Sequence, residues 1–252
     1  MPDDNLTTYS IDVTDAPDGL TLWRMARKFL RARGIVRMSY HFLDPTGGRA
    51  PLVRAEGFPE DWVAHYIEND LADIDPIPAL AARRTKPFFW SELETLVRLT
   101  PEERAFVREL ETAHLGDGLA MQVYGPRMRS AYVGLGFGGP RPELNEAQIF
   151  ELKSAVQLAH LRYCELDETR PLSHRELSPR ETEILSWIAR GKSNSVMAEI
   201  LGVSRHTVDT LVRRIFQKLE VGDRTTAVLR GLGAGLIVLD RRMPVTQSRD
   251  VT

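Results

Sequence analysis

Ser178-Pro179-Arg180-Glu181 opens the stretch that decides the C-terminal fold. Ser is a good helix N-cap, Pro suits the first helical position, and a Glu three residues after the cap can reach back to the cap N–H. The helix so begun presents Ile184, Leu185 and Ile188 for burial and stops at Gly191, a residue suited to a left-handed cap. A second short helix is predicted over 194–201, using Val196, Met197 and Ile200, and Gly202 ends it. Val203 and Ser204 make the turn, and Ser204 caps a third helix that runs to about Leu219. Its apolar residues Val208, Leu211, Val212, Ile215, Phe216 and Leu219 fall in one stripe at helical period. The opposite side carries His206, Thr210, Arg213, Arg214 and Gln217, and a fourth helix near 224–233 closes the group.

Two short helices joined by a tight turn make a helix-turn-helix arrangement. The second helix fits a DNA major groove, and its polar face can read base edges. Lys192, Ser193 and Asn194, at the start of the helix before it, offer a cation and amides to a phosphate. The same spacing also fits a plain four-helix bundle with a solvated polar face.

The segments Leu177–Leu185, Ala189–Asn194, Ala198–Ser204, Thr207-Val208 and Lys218–Ala227 resemble the LuxR-type helix-turn-helix. The family's constant Glu, Leu and Gly fall on Glu181, Leu185 and Gly191. The resemblance implies that Glu181 and Leu185 hold the domain together and that Gly191 makes the turn. It places DNA contacts among Ser204, Arg205, His206, Thr207, Asp209, Thr210, Arg213, Arg214 and Gln217, with Lys192, Ser193 and Asn194 on the backbone. Asp209 is an unusual acidic member, expected to orient a neighbouring arginine rather than to accept from cytosine.

Outward from this block, the charge changes sign. The chain of 252 residues carries 33 Lys+Arg and 35 Asp+Glu, a net of −2. Residues 173–243 hold 12 basic and 8 acidic residues, and the first 172 hold 20 and 26. The reader is therefore +4 and the part before it −6, a division that fits a sensor fused to a nucleic-acid reader. Hydrophobic residues at 42% and charged residues at 27% exclude wholesale disorder. No run of about 18 apolar residues could cross a membrane. The acidic N-terminus is not a signal peptide, and the single Cys164 excludes a disulfide within the chain and suits a reducing cytoplasm. The polar, proline-containing stretch 166–175 reads as a linker. Expected domains are a sensor at 1–165, the reader at 176–243 and a flexible tail at 244–252.

The N-terminal block reads as α+β first and all-α second. Helices are expected over 20–33 and 145–165, and another opens at Thr100-Pro-Glu-Glu103. Strands are expected over 35–43, 51–55, 119–124 and 131–137. Trp62 and Tyr66 share a helical face; Asp75-Pro76 follows, and Trp90 ends the cluster Phe88-Phe-Trp90. Together they can make an apolar wall with an indole N–H, a phenol and a carboxylate, which a ligand with amide and carbonyl groups would satisfy. They can equally be core aromatics beside a helix cap.

Trp62, Tyr66, Asp75, Pro76, Trp90 and Gly118, in this order and spacing, resemble the N-acyl-homoserine-lactone-binding domain of quorum-sensing regulators. The resemblance, over about residues 20–165, implies an α/β/α sandwich on a five-stranded antiparallel sheet. It implies that Trp62 N–H meets the lactone carbonyl, ionised Asp75 the amide N–H and Tyr66 O–H the acyl carbonyl. Trp90 would pack on the lactone ring, and Pro76 and Gly118 would shape the backbone. The strand 131–137 departs from the family: Gly134 or Gly136 stands where a Ser or Thr is usual. The pocket is expected to lose a hydroxyl and gain room, suiting a branched or aryl acyl group or a water. Phe42, Phe58, Met121 and Tyr132 are candidate acyl-wall residues, each of which could also be plain core.

The expected function is a ligand-responsive transcription factor that binds a palindromic site as a homodimer, with double-stranded DNA, the autoinducer and RNA polymerase as partners. No cofactor, metal or membrane is expected. A two-component response regulator needs a strand followed by a phosphorylated Asp, and Asp3 and Asp4 follow none. An enzyme is disfavoured because the six His are scattered and no HExxH, GxSxG or phosphate loop is present. A LuxR-type regulator answering a non-lactone ligand stays open.

Overall fold

The computed structural model describes residues 5–43, 52–168 and 176–238, which fall into two compact units, 5–168 and 176–238. In the first, α1 (Leu6–Thr14) and α2 (Gly19–Arg31) precede β1 (Arg37–Leu43) and β2 (Leu52–Glu56). Then come α3 (Glu60–Glu68), α4 (Pro76–Ala81), β3 (Phe88–Phe89), α5 (Leu93–Leu96) and α6 (Pro101–Thr112). The hairpin β4 (Gly118–Tyr124) and β5 (Ser130–Gly136) leads into α7 (Glu146–Glu168). The sheet order is β2-β1-β5-β4-β3, every pair antiparallel.

Strand alternation sends successive side chains to opposite faces. Met38, Phe42, Met121, Val133 and Leu135 face a core shared with α1, α2 and α7. Ala120 and Tyr132 face a second core built by α3, α4, α5 and α6. The result is the expected α/β/α sandwich. Asp18 caps α2 by accepting from Thr21 N–H, and Thr100 and Glu103 form the capping box of α6.

Helix α7 continues through Leu166 and Asp167 to Glu168, three residues into the stretch expected as linker. Its apolar positions continue that far: Leu166 packs on the core, and Asp167 is buried beside Arg129, 3.9 Å away. Pro51, residues 169–175 of the linker, 239–243 of the reader and the tail 244–252 lie outside the described residues.

The second unit is α8 (Pro179–Ala189), α9 (Asn194–Leu201), α10 (Arg205–Leu219) and α11 (Arg224–Gly233) around Ile184, Leu185, Met197, Val208, Ile215 and Leu219. Ser178, Ser193, Ser204 and Asp223 cap the four helices in turn. Gly191 (φ 73°) and Gly202 (φ 63°) take the left-handed conformation that ends α8 and α9 at almost no steric cost.

Candidate functional site

A cavity of about 130 Å³ lies between the sheet and α3, α4 and α6. Its wall includes Trp62 and Tyr66 from α3, Asp75 and Ile77 around the start of α4, Trp90 after β3 and Tyr132 from β5, with Phe58 beside them. The sequence-predicted set therefore converges. Phe42 and Met121 do not belong to it. They point to the opposite face, where Phe42 packs edge-on to Tyr163 at 5.4 Å. The alternation that puts Met38 and Tyr40 in that core carries Phe42 with them and leaves positions 39 and 41 for the cavity.

Asp75 is the N-cap of α4: its Oδ1 accepts from Ile77 N–H at 2.9 Å, and Pro76 fills the first turn. The cap and the cavity residue are thus one group, not alternatives. Oδ2 accepts from the Tyr66 hydroxyl at 3.0 Å. The single phenol proton is directed at Asp75. Burial pushes the Asp75 pKa up to about 6, against the pull of the Ile77 and Tyr66 donors. The carboxylate is therefore less firmly ionised than expected.

Trp90 lies flat against the bare backbone of Gly118; a Cβ there would be 2.5 Å from the Trp90 ring. Gly136 faces the same ring, at 3.3 Å. Asp117 fixes the turn, accepting from Ser91 N–H at 3.1 Å and Ser91 Oγ at 2.6 Å. The indole Nε1–H of Trp90 is buried and has no hydrogen-bond partner among the described residues. It sits close enough to the Tyr132 phenol to influence its titration, but does not reach hydrogen-bonding geometry.

Gly134 does not open extra room. A Cβ there would meet Ser39 Oγ and Tyr132 Oη, each at 2.6 Å. The Ser39 hydroxyl, on the neighbouring strand, fills the space instead. Ser39 and His41 were missed from sequence, although β alternation assigns both to one face. Burial pushes the His41 pKa down to about 4, and its ring meets Tyr132 edge-on at 5.0 Å.

A second cavity, about 150 Å³, lies across the sheet between α2, α7 and the β1–β2 edge. Within it Tyr40 Oη is paired with His160 Nδ1 at 2.8 Å. A buried carboxylate and an unpartnered N–H distinguish the first cavity from the second.

In the second unit Arg205, His206, Thr207, Asp209, Arg213, Arg214 and Gln217 are exposed along α10, and Thr210 is half-buried. Ser193 and Ser204 use their hydroxyls as caps, toward Val196 N–H and Thr207 N–H. Asp209 Oδ1 accepts from Asn194 Nδ2 at 2.6 Å, and Arg224 donates to Asn194 Oδ1 at 2.7 Å. Among the described residues Asp209 thus connects to an arginine through Asn194, whose side-chain amide is engaged at both ends. Glu181 is buried; its carboxylate takes Ser178 N–H and Lys218 Nζ, both at 2.7 Å. Burial opposes its charge, but these donors hold its pKa below the usual range. Leu185 packs against Gly231, where a Cβ would lie 2.7 Å away.

Residues 20–163 match the autoinducer binding domain, and residues 175–230 match the bacterial regulatory proteins of the luxR family. The chain is a LuxR-family, autoinducer-binding transcriptional regulator. The regulator is 29% identical over 192 residues to the quorum sensing-dependent transcriptional regulator RpaR of Rhodopseudomonas palustris, covering 76% of this chain and 78% of that one. It is 26% identical over 230 residues to the transcriptional activator BjaR1 of Bradyrhizobium diazoefficiens, covering 87% and 93%. In fold it is similar to SdiA of Escherichia coli, with a TM-score of 0.73 at 19% identity over 92% of this chain and 98% of that one. The family consists of transcriptional regulators, not enzymes. Among the described residues of the LuxR-family regulator, no helix is long and apolar enough to cross a membrane.

Proposed function

We propose that the regulator binds an N-acyl-homoserine lactone in the cavity beside Asp75. The observation that carries this is the buried Asp75 carboxylate, which has two protein donors and no ion pair among the described residues. A ligand amide N–H completes its hydrogen bonding, and a ligand lacking that N–H leaves a buried charge under-satisfied. Trp62 is assigned to the lactone carbonyl, and the aromatic walls of Trp90, Phe58 and Tyr132 receive the apolar parts.

Ligand binding favours a homodimer, which sets two α10 helices on a palindromic site with half-sites about one helical turn apart, and the bound dimer acts on RNA polymerase in the cytoplasm. The sensor occupies the first 168 residues and the reader begins near 176. DNA contacts are assigned to Lys192 and the backbone amides of 193 and 194, and to Arg205, His206, Thr207, Thr210, Arg213, Arg214 and Gln217.

Tryptophan fluorescence of the full chain, titrated with N-hexanoyl-, N-isovaleryl- and N-cinnamoyl-homoserine lactone, tests the ligand. Saturable binding of at least one, lost in Asp75→Asn, is expected. No binding of any, or undiminished binding in the variant, overturns the assignment. A second reading is a non-lactone amide or ester. It is favoured by the hydroxyl at Ser39 rather than at 134, and by a structure of SdiA, 18% identical, in complex with octanoyl-rac-glycerol.

A further inference from the structure

Phe58 and Gly134 bring no side-chain donor to the cavity, and the Tyr66 proton goes to Asp75. In a trans amide the N–H and C=O point in opposite directions. A ligand amide that gives its N–H to Asp75 therefore aims its carbonyl away from the Tyr66–Asp75 pair.

Donors for that carbonyl stand on the sheet. Ser39 is the register partner of Gly134 across β1 and β5. The hydroxyls of Ser39 and Tyr132 converge on the bare face of Gly134, each 2.6 Å from where a side chain there would begin. Ser39 is 8% exposed and lines the cavity, as do Tyr132 and Trp90. The Trp90 Nε1–H beside them is buried without an acceptor among the described residues, and a buried hydrogen bond left unmade is costly. Ser39 and Tyr132 share one hydrogen bond, which leaves one hydroxyl proton to offer, and with the unpartnered Trp90 N–H they describe a subsite for an acceptor.

We propose that Ser39 is the specificity-determining donor for the ligand's acyl carbonyl, with Tyr132 and Trp90 completing the subsite. This rests on the lactone reading above. The hydroxyl comes from β1 because position 134 of β5 has none to give. Gly134 is then required as a clearance for that hydroxyl, not as room for a larger acyl group. The ligand class is an acyl amide with a free carbonyl oxygen. A thioamide, whose sulfur is a poor acceptor, is the discriminating analogue.

The test uses the full chain and the tightest of the three lactones, read by tryptophan fluorescence. Ser39→Ala is expected to weaken binding about tenfold, the worth of one hydrogen bond. Gly134→Ser alone also weakens it, because the new Cβ meets two hydroxyls. The exchange Ser39→Gly with Gly134→Ser returns a hydroxyl to position 134 and removes one of the two clashes, so it recovers part of the affinity that Gly134→Ser loses. In the unmutated chain the thioamide binds about tenfold more weakly than the oxo ligand, and Ser39→Ala removes most of that difference. Equal binding of oxo and thio ligands by the unmutated chain overturns the proposal without any variant. Unchanged affinity in Ser39→Ala, while Asp75→Asn still loses binding, overturns it and leaves the lactone reading standing. Absence of lactone binding by the unmutated chain overturns both.

Discussion

The Tyr66 hydroxyl donates to Asp75 Oδ2 at 3.0 Å, and among the described residues no Lys, Arg or His forms an ion pair with that carboxylate. Asp75 is held as an acceptor with neutral partners only. Its raised pKa follows from burial, and so does its sensitivity to whatever else enters the cavity.

Asp75 gives stability and affinity opposite dependences on pH. Its folded pKa, about 6, lies above the ordinary value of 3.8, so the ligand-free fold favours the protonated acid. Its contribution to stability is present at low pH and is lost as pH rises from about 4 through 6, by up to about 3 kcal/mol. An amide N–H prefers the carboxylate, so lactone affinity should fall as pH drops below about 6. Asp75→Asn should flatten both curves. It should leave the ligand-free chain at least as stable at pH 7.5, since Asn can also cap α4. Thermal unfolding and titration across pH 5–8 check both.

Gly118→Ala should displace Trp90, because its Cβ would lie 2.5 Å from the ring. Overpacking of this kind costs about 1–3 kcal/mol. The loss should appear in unfolding of the first unit and in ligand binding together, while DNA binding without ligand is unchanged.

Glu181→Gln should destabilise the second unit by about 1–3 kcal/mol. The variant keeps the shape of the capping box but removes the charge that Lys218 Nζ meets at 2.7 Å. Denaturant unfolding followed by Trp187 fluorescence in a Trp23, Trp62 and Trp90→Phe background isolates that unit.

Arg213 is exposed on α10 and reaches Thr210 Oγ1 only at 3.5 Å, so it is free to read a base. Arg213→Ala should cost about 1–3 kcal/mol on the operator and much less on unrelated DNA. An equal loss on all sequences would make it a phosphate contact. Asp209→Ala removes an anion from the same face and should tighten binding to unrelated DNA, with a stability change below about 1 kcal/mol. Gel-shift titrations over a salt series check both.

The helical unit was readable because its signals are local. Ser178-Pro179 and Glu181, Gly191, Gly202 and the stripe from Val208 to Leu219 each act within a few residues. In the sensor, alternation makes the strands legible but not which face lines the cavity, so it leaves Phe42 and Met121 open between acyl wall and plain core, and the fold places both in the core. The Tyr66–Asp75 bond needs α3 set against the start of α4. Ser39 became visible only once β1 and β5 were in register, because its partner Gly134 is 95 positions away in the chain. Spacing named the aromatic and acidic members of the site. It could not say which donors they had already satisfied.

Helix α3 carries Trp62, Val63, Tyr66 and Ile67 on the cavity, yet none of its residues is buried, and Ile67 is 66% exposed. An element with so little of its apolar surface covered opens at low free-energy cost. An opened α3 is where a protease would cut first, and a molecule seated beneath it would close that opening. The lifetime of the chain in a cell, and with it the number of copies present to act, should then rise and fall with the supply of its ligand.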